Sequence, residues 1–145
     1  MKKEKQKLRN LLKDKSGATY IEMAVGIIIF TLTAAFLVEF IPVLILKNQL
    51  NTYATNVSRI LSVEGQYNEE VREKIEEYRN VSEIGDVHLS LDGTVFISGT
   101  DKIQLNDRIV VTVNAEYDLG FFTFGSFKIP LTNEAVARSE VYWKD

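Results

Sequence analysis

From Met23 to Leu46 the chain runs 24 residues with one carboxylate, Glu39, and no other charge. A helix of that length reaches about 36 Å, enough to cross a hydrocarbon core of ~30 Å. The stretch reads as a membrane segment, and the rest of the chain is arranged on its two sides. A secretory signal has a shorter apolar core followed by a small-x-small cleavage site. Here the apolar run passes directly into an amphipathic pattern, so no cut after it is expected. Pro42 lacks an N–H and should kink or loosen the helix, which membrane helices tolerate. Gly26 is either a second weak point or a surface for close contact.

On the N-terminal side, residues 1–17 carry seven cations against Glu4 and Asp14, a net charge of +5. A basic flank stays in the cytoplasm, which places the C-terminal part outside. The leader ends in Gly17, a small Ala18 follows, and Glu22 is the fifth residue beyond that junction. This combination resembles a type IV prepilin. The resemblance implies a prepilin peptidase cutting between Gly17 and Ala18, and Glu22 meeting the freed amine of Ala18 on a neighbouring subunit. A carboxylate at the centre of a membrane helix costs roughly 2.5–3.5 kcal/mol and less near the interface, so it ordinarily has a partner or a task. The plainer alternative is that Glu22 marks the interfacial end of an uncleaved signal anchor.

Glu39 lies 17 residues beyond Glu22, an angular offset of about 260° after whole turns, so the two carboxylates do not share a helix face. Glu39 either reaches the outer interface, or is protonated, or packs against another subunit.

The formal charge of the whole chain is −3, and the +5 of the leader leaves −8 for the remainder. That acidity argues against nucleic acid as a partner. There is no cysteine, which removes disulfides, thiol catalysis and thiolate metal sites together. Stability must therefore come from packing and from neighbours in an assembly. The one histidine, His88, falls in an alternating segment and reads as solvent-facing. No serine sits in a nucleophile elbow, and no glycine loop is built for phosphate. An enzyme is not expected, nor a cofactor, a metal or a small-molecule substrate.

Beyond the span, Leu46, Leu50, Tyr53, Val57, Ile60 and Leu61 recur at helical spacing, with Lys47, Asn51, Thr55 and Arg59 between them. The helix should continue as an amphipathic one and end near Gly65. Asn68 to Val81 predicts a second helix, with Asn68 as cap, Glu69 and Glu70 in its first turn and Val71, Ile75 and Tyr78 as its apolar stripe. Its charged face is read as solvated. Val87, Leu89 and Leu91, the Asp92–Gly93 turn, and Val95 and Ile97 predict a first β-hairpin. Ile103 and Leu105 form a connecting piece. Arg108 to Asp118, rich in β-branched residues, should be the central strand. Gly120 to Phe127 is an aromatic turn, and Lys128 to Trp143 a last strand-like run with Pro130 near its start. Phe121, Phe122, Phe124 and Phe127 either fill the gap between sheet and helix or leave an exposed patch for a neighbouring subunit.

The leader–glycine junction, EFIPVLILKNQL after the span and GSFKIPLTNEAVARSEVYWK near the end together resemble the DUF4320 group of short membrane proteins, related to TadE-like pseudopilins. Met23 stands where tight-adherence pilins often have an aromatic, and Ala18 where type IVa pilins have phenylalanine. The resemblance implies an α+β, pilin-like fold, a long N-terminal helix packed on a small antiparallel sheet. Its parts would be a leader (1–17), a transmembrane half-helix (18–46), an amphipathic continuation (47–65) and an extracytoplasmic domain (66–145). It further implies a minor pilin or pseudopilin, single-pass in the cell membrane or in a surface filament, with other pilin or pseudopilin subunits as partners. The alternative is an uncleaved, signal-anchored domain that binds a ligand or partner outside the cell. The fate of Gly17–Ala18 separates the two.

Overall fold

The computed structural model describes residues 16–82, 84–120 and 125–144. Helix α1 spans Ser16–Glu39 and α2 spans Ile41–Glu64, with a turn at Phe40 between them. The break lies two residues before Pro42. A proline ring inside a helix opposes the carbonyl four residues earlier, here that of Val38, and supplies no N–H to it. At Phe40 the backbone instead closes a tighter turn, Phe40 N–H donating to Leu37 O at 3.2 Å. The chain also divides after Phe40 into two compact units.

Among the described residues, the first unit consists of α1 and Phe40. Its side chains are apolar on every side, and Tyr20, Ile27, Phe30 and Leu32 are all exposed. The hydroxyls of Thr31 and Thr33 donate to the carbonyls of Ile27 and Ile29, each at 2.8 Å, so neither needs water. The rings of Phe36 and Phe40 meet, tilted, at 4.8 Å.

The second unit is an α+β domain. α2 turns Leu50, Tyr53, Ala54, Val57 and Leu61 inward, the stripe of an amphipathic helix. It stops where Gly65 takes φ +62° and donates to Leu61 O at 2.9 Å, a left-handed terminus that glycine supplies without steric cost. α3 spans Glu69–Val81, capped by Asn68, whose side chain accepts from Val71 N at 3.0 Å. Val71 and Ile75 are buried. The Tyr78 ring stacks on Tyr53 at 5.7 Å, and its hydroxyl accepts from Asn56 Nδ2.

Three antiparallel strands, β1 (His88–Ser90), β2 (Arg108–Gly120) and β3 (Ser126–Arg138), are ordered β1-β2-β3. β2 is central, and Ile109, Val111 and Val113 point into the core at alternate positions. β3 pairs with it from Arg108↔Arg138 to Gly120↔Ser126. Ser139 N–H donates to Asp107 O at 3.1 Å, so odd-numbered residues of β3 turn their backbone groups to β2. Pro130 therefore falls among those facing the open edge, where its missing N–H breaks no ladder bond.

Two expectations need correcting. The segment 87–97 does not form a hairpin. Asp92–Gly93 makes a turn, with Thr94 N–H on Leu91 O at 3.0 Å, but β1 pairs with β2 at residues 112–114. The returning limb also goes to β2, through Val95 N on Arg108 O and two bonds between Thr94 Oγ1 and Val110. Both limbs thus lie end to end along one edge of β2. A two-stranded hairpin is marginal by itself, whereas the long buried strand offers each limb a partner and a core. Nor does the last run stay a strand to Trp143. β3 ends at Arg138, and the tail crosses the end of α2, with Glu140 N donating to Ser62 O at 2.9 Å and Trp143 Nε1 to Gly65 O at 3.0 Å. Of the aromatic turn, Phe121, Phe122 and Phe124 lie outside the described residues, while Phe127 is an exposed residue of β3.

Candidate functional site

The residues singled out for assembly lie on α1. The Gly17–Ala18 bond belongs to its first turn, where backbone N–H groups have no partner within the helix and ends fray. Glu22 is exposed on the helix surface. Glu39 is the last residue of α1 and half-buried. Between the two carboxylates the helix carries no charge, and the Thr31 and Thr33 hydroxyls bond within it. The length and composition of this helix are compatible with a membrane anchor. The structure does not bring Glu22 and Glu39 together: they sit about 25 Å apart along one helix at ~1.5 Å per residue.

A second feature was not legible in the sequence. On the outer face of the sheet, Asp86, His88, Asn114, Glu116, Asp118 and Lys128 line an open cavity of about 550 Å³. It exists because β1 is short: alternate outward residues of β2 and β3 continue past its end. Lys128 Nζ bonds Glu116 Oε2 at 3.0 Å, which raises the lysine pKa, and Thr132 Oγ1 donates to Asn114 Oδ1 at 2.7 Å. These two pairs are open to water, an arrangement worth little to stability. Among the described residues no group of three or more His, Cys, Asp or Glu is arranged to hold a metal ion.

The third notable group is internal. Burial pushes the Tyr53 hydroxyl up to about 12, with Glu76 adding to the shift. Between α2 and α3, Lys74 bridges Glu64 and Glu70 at 2.9 and 3.0 Å, and these bonds raise its pKa. Near the C-terminus, Gln104 exchanges two hydrogen bonds with the Trp143 backbone, and Lys102 lies 4.3 Å from the centre of its ring. These contacts join tail, loop and helix end. The sequence signal for them was a glycine at position 65 and one tryptophan, and neither type of residue announces its partner.

A family described as a domain of unknown function, DUF4320, matches residues 27–144. The match begins inside the apolar run, so Gly17, Ala18 and Glu22 lie before it. No curated protein matches the chain, and no solved structure does.

Proposed function

The chain belongs to the DUF4320 family, and from that premise we propose that it is a membrane-anchored structural subunit of pilin or pseudopilin type, carrying its α+β domain outside the cell. One observation carries the proposal: α1 exposes apolar side chains on all sides between Glu22 and Glu39, a surface that water does not stabilise and that is not covered by the described residues of its own unit. A lipid bilayer, and then a bundle of like helices, covers such a surface. The leader charge of +5 from residues 1–17 orients the helix with its N-terminus in the cytoplasm.

In this reading a prepilin peptidase removes residues 1–17, and Ala18 becomes the new N-terminus. The carboxylate of Glu22 then neutralises the Ala18 amine of an adjacent subunit, which removes two charges from an apolar bundle and fixes the axial register between helices. The role is structural, with no catalytic step and with other subunits and the peptidase as partners. The assembly is a filament of minor subunits or a complex retained in the membrane.

The test is the N-terminal sequence and intact mass of the protein recovered from host membranes, with and without the peptidase. The expected result is an N-terminus at Ala18 that is lost when the peptidase is absent. An N-terminus at Met1 in the presence of active peptidase overturns the proposal and leaves an anchored domain, for which the cavity on the outer sheet face is the first place to look for a ligand. Given cleavage, Glu22→Gln should leave processing intact and reduce co-isolation with partner subunits.

A further inference from the structure

We propose that the β2–β3 ribbon is a second membrane contact, with the Phe127 side chain seated at the boundary between headgroups and acyl chains; this rests on the reading of α1 as a membrane span. Two hydrogen bonds fix how β3 runs against α2. Asn133 Nδ2 donates to Lys47 O at 2.8 Å, and Glu140 N donates to Ser62 O at 2.9 Å. Lys47 to Ser62 measures about 22 Å of helix, and Asn133 to Glu140 about 23 Å of extended chain. The two elements therefore run side by side in the same direction. Counted back from the first bond, α2 has only about 9 Å left to its start at Ile41, while β3 has about 23 Å left to its start at Ser126. The ribbon overshoots the start of α2 by roughly 14 Å, at the end where the chain arrives from the apolar helix.

Burial follows the same course. At successive inward-facing positions of β3, Leu131 is buried, Ile129 is half-buried and Phe127 is 66% exposed. Leu119, opposite Phe127 in the ladder, is buried, so the exposed apolar surface at this rung is on the β3 side. At the same end of the domain, Ile41, Leu44 and Ile45 of α2 are also exposed. At this overshooting end of the ribbon the charges are Glu116, Asp118 and Lys128, with Lys128 paired to Glu116. Its attraction to a bilayer is therefore apolar and should not depend on salt. Depth is limited by the open edge of β3, whose backbone groups need water; the ribbon rests in the interface and does not enter the hydrocarbon core.

The chain has no cysteine, so one introduced thiol gives one probe. Ser126→Cys, Val136→Cys and Ile29→Cys in the full chain would carry a bimane probe, in phosphatidylcholine vesicles loaded with less than one protein each and with spin-labelled acyl chains. The expected result is quenching by roughly half at positions 126 and 29 and none at 136, unchanged by added salt, with Phe127→Asp abolishing the effect at 126 alone. Quenching at 29 without quenching at 126 overturns the ribbon contact and leaves the span intact. No quenching at 29 overturns both. Equal quenching at 126 and 136 shows the whole domain lying on the surface, and quenching at 126 that survives Phe127→Asp removes Phe127 as the anchor; either result overturns the proposal. A change at 126 that appears only at high protein loading assigns the surface to a second copy instead.

Discussion

Helices α1 and α2 are each 24 residues long, but their apolar side chains meet different surroundings. In α1, Ile27, Phe30 and Leu32 are 62%, 75% and 65% exposed, whereas in α2 Leu50, Val57 and Leu61 have no exposed surface at all. The difference lies in the residues between the apolar ones. Lys47, Asn51, Thr55 and Arg59 mark a wet side on α2, so the opposite side must face a core, and β2 and β3 provide it. α1 has no such polar face, and its Thr31 and Thr33 hydroxyls bond inward to the helix itself. Hydrophobicity alone does not tell which helix buries a stripe within its own unit; the presence of one polar face does.

The sharpest test of that contrast is a matched pair of truncations in the full chain. Leu50→Ala should destabilise the domain by about 2–5 kcal/mol, and Leu32→Ala by less than about 0.5 kcal/mol. Urea unfolding of the detergent-solubilised protein measures both, followed through Trp143, the one tryptophan. Similar losses from the two substitutions would mean that α1 shares the core of the domain.

A second substitution tests how α2 ends. At Gly65 an added Cβ would lie 2.5 Å from Val141 Cβ, on a backbone with φ +62°. Gly65→Ala therefore meets both a left-handed backbone cost of about 1 kcal/mol and a collision with the tail, and we expect a total near 3 kcal/mol. Adding Val141→Gly removes the collision. The unfolding midpoint of the double variant should then recover beyond that of Gly65→Ala, once Val141→Gly alone is taken as the reference. No recovery would show that the backbone, and not the crossing of the tail, sets the requirement for glycine.

The same two helices show what could be read in the chain and what could not. Local signals were sufficient where one element determines itself: the helix end at Gly65, the Asn68 cap, the β-branched central strand and the break next to Pro42 all follow from residues close in sequence. The segment 87–97 was misread because its alternation and its Asp92–Gly93 turn specify two extended limbs and a reversal, but not the partner of the limbs. A buried 13-residue strand (β2) competes for them and wins. The tail was misread for a related reason: its apolar residues Val141 and Trp143 find the end of a helix more than 70 residues away, at Gly65. Of the residues proposed for assembly, Glu22 stands out in the sequence as a carboxylate beside an apolar run, and the structure adds only that it is exposed on α1. The outer-face cavity was not legible, because it arises from the shortness of β1.

Buried polar groups distinguish the two regions as well, and Tyr53 offers a pH test. Its pKa stands at about 12 against 10.0 for an unperturbed tyrosine, chiefly because burial disfavours the phenolate. The raised value means that the protonated form belongs to the folded state. The contribution of Tyr53 is fully present below pH 10 and is lost as pH rises toward 12, with a ceiling of about 2–3 kcal/mol. Stability measured from pH 9 to 12 should fall less steeply in Tyr53→Phe than in the parent. An unchanged slope would show that Tyr53 does not carry the alkaline loss of stability.

The smallest expected effect concerns α3, which like α2 packs an apolar stripe in the domain. Asn68 Oδ1 accepts from Val71 N at 3.0 Å, and Glu69 and Glu70 follow in the positive first turn. Asn68→Ala leaves the Val71 N–H without that partner, at a cost of about 1 kcal/mol. Asn68→Asp keeps an acceptor and adds a charge that the helix dipole favours, so it should equal or exceed the parent. The ordering Asp ≥ Asn > Ala in urea midpoints would show that the start of α3 is held by its cap. If all three coincide, Val71, Ile75 and the stacked Tyr78 hold α3 by packing alone, and the contrast between a helix fixed by its buried stripe and one without such a stripe becomes wider still.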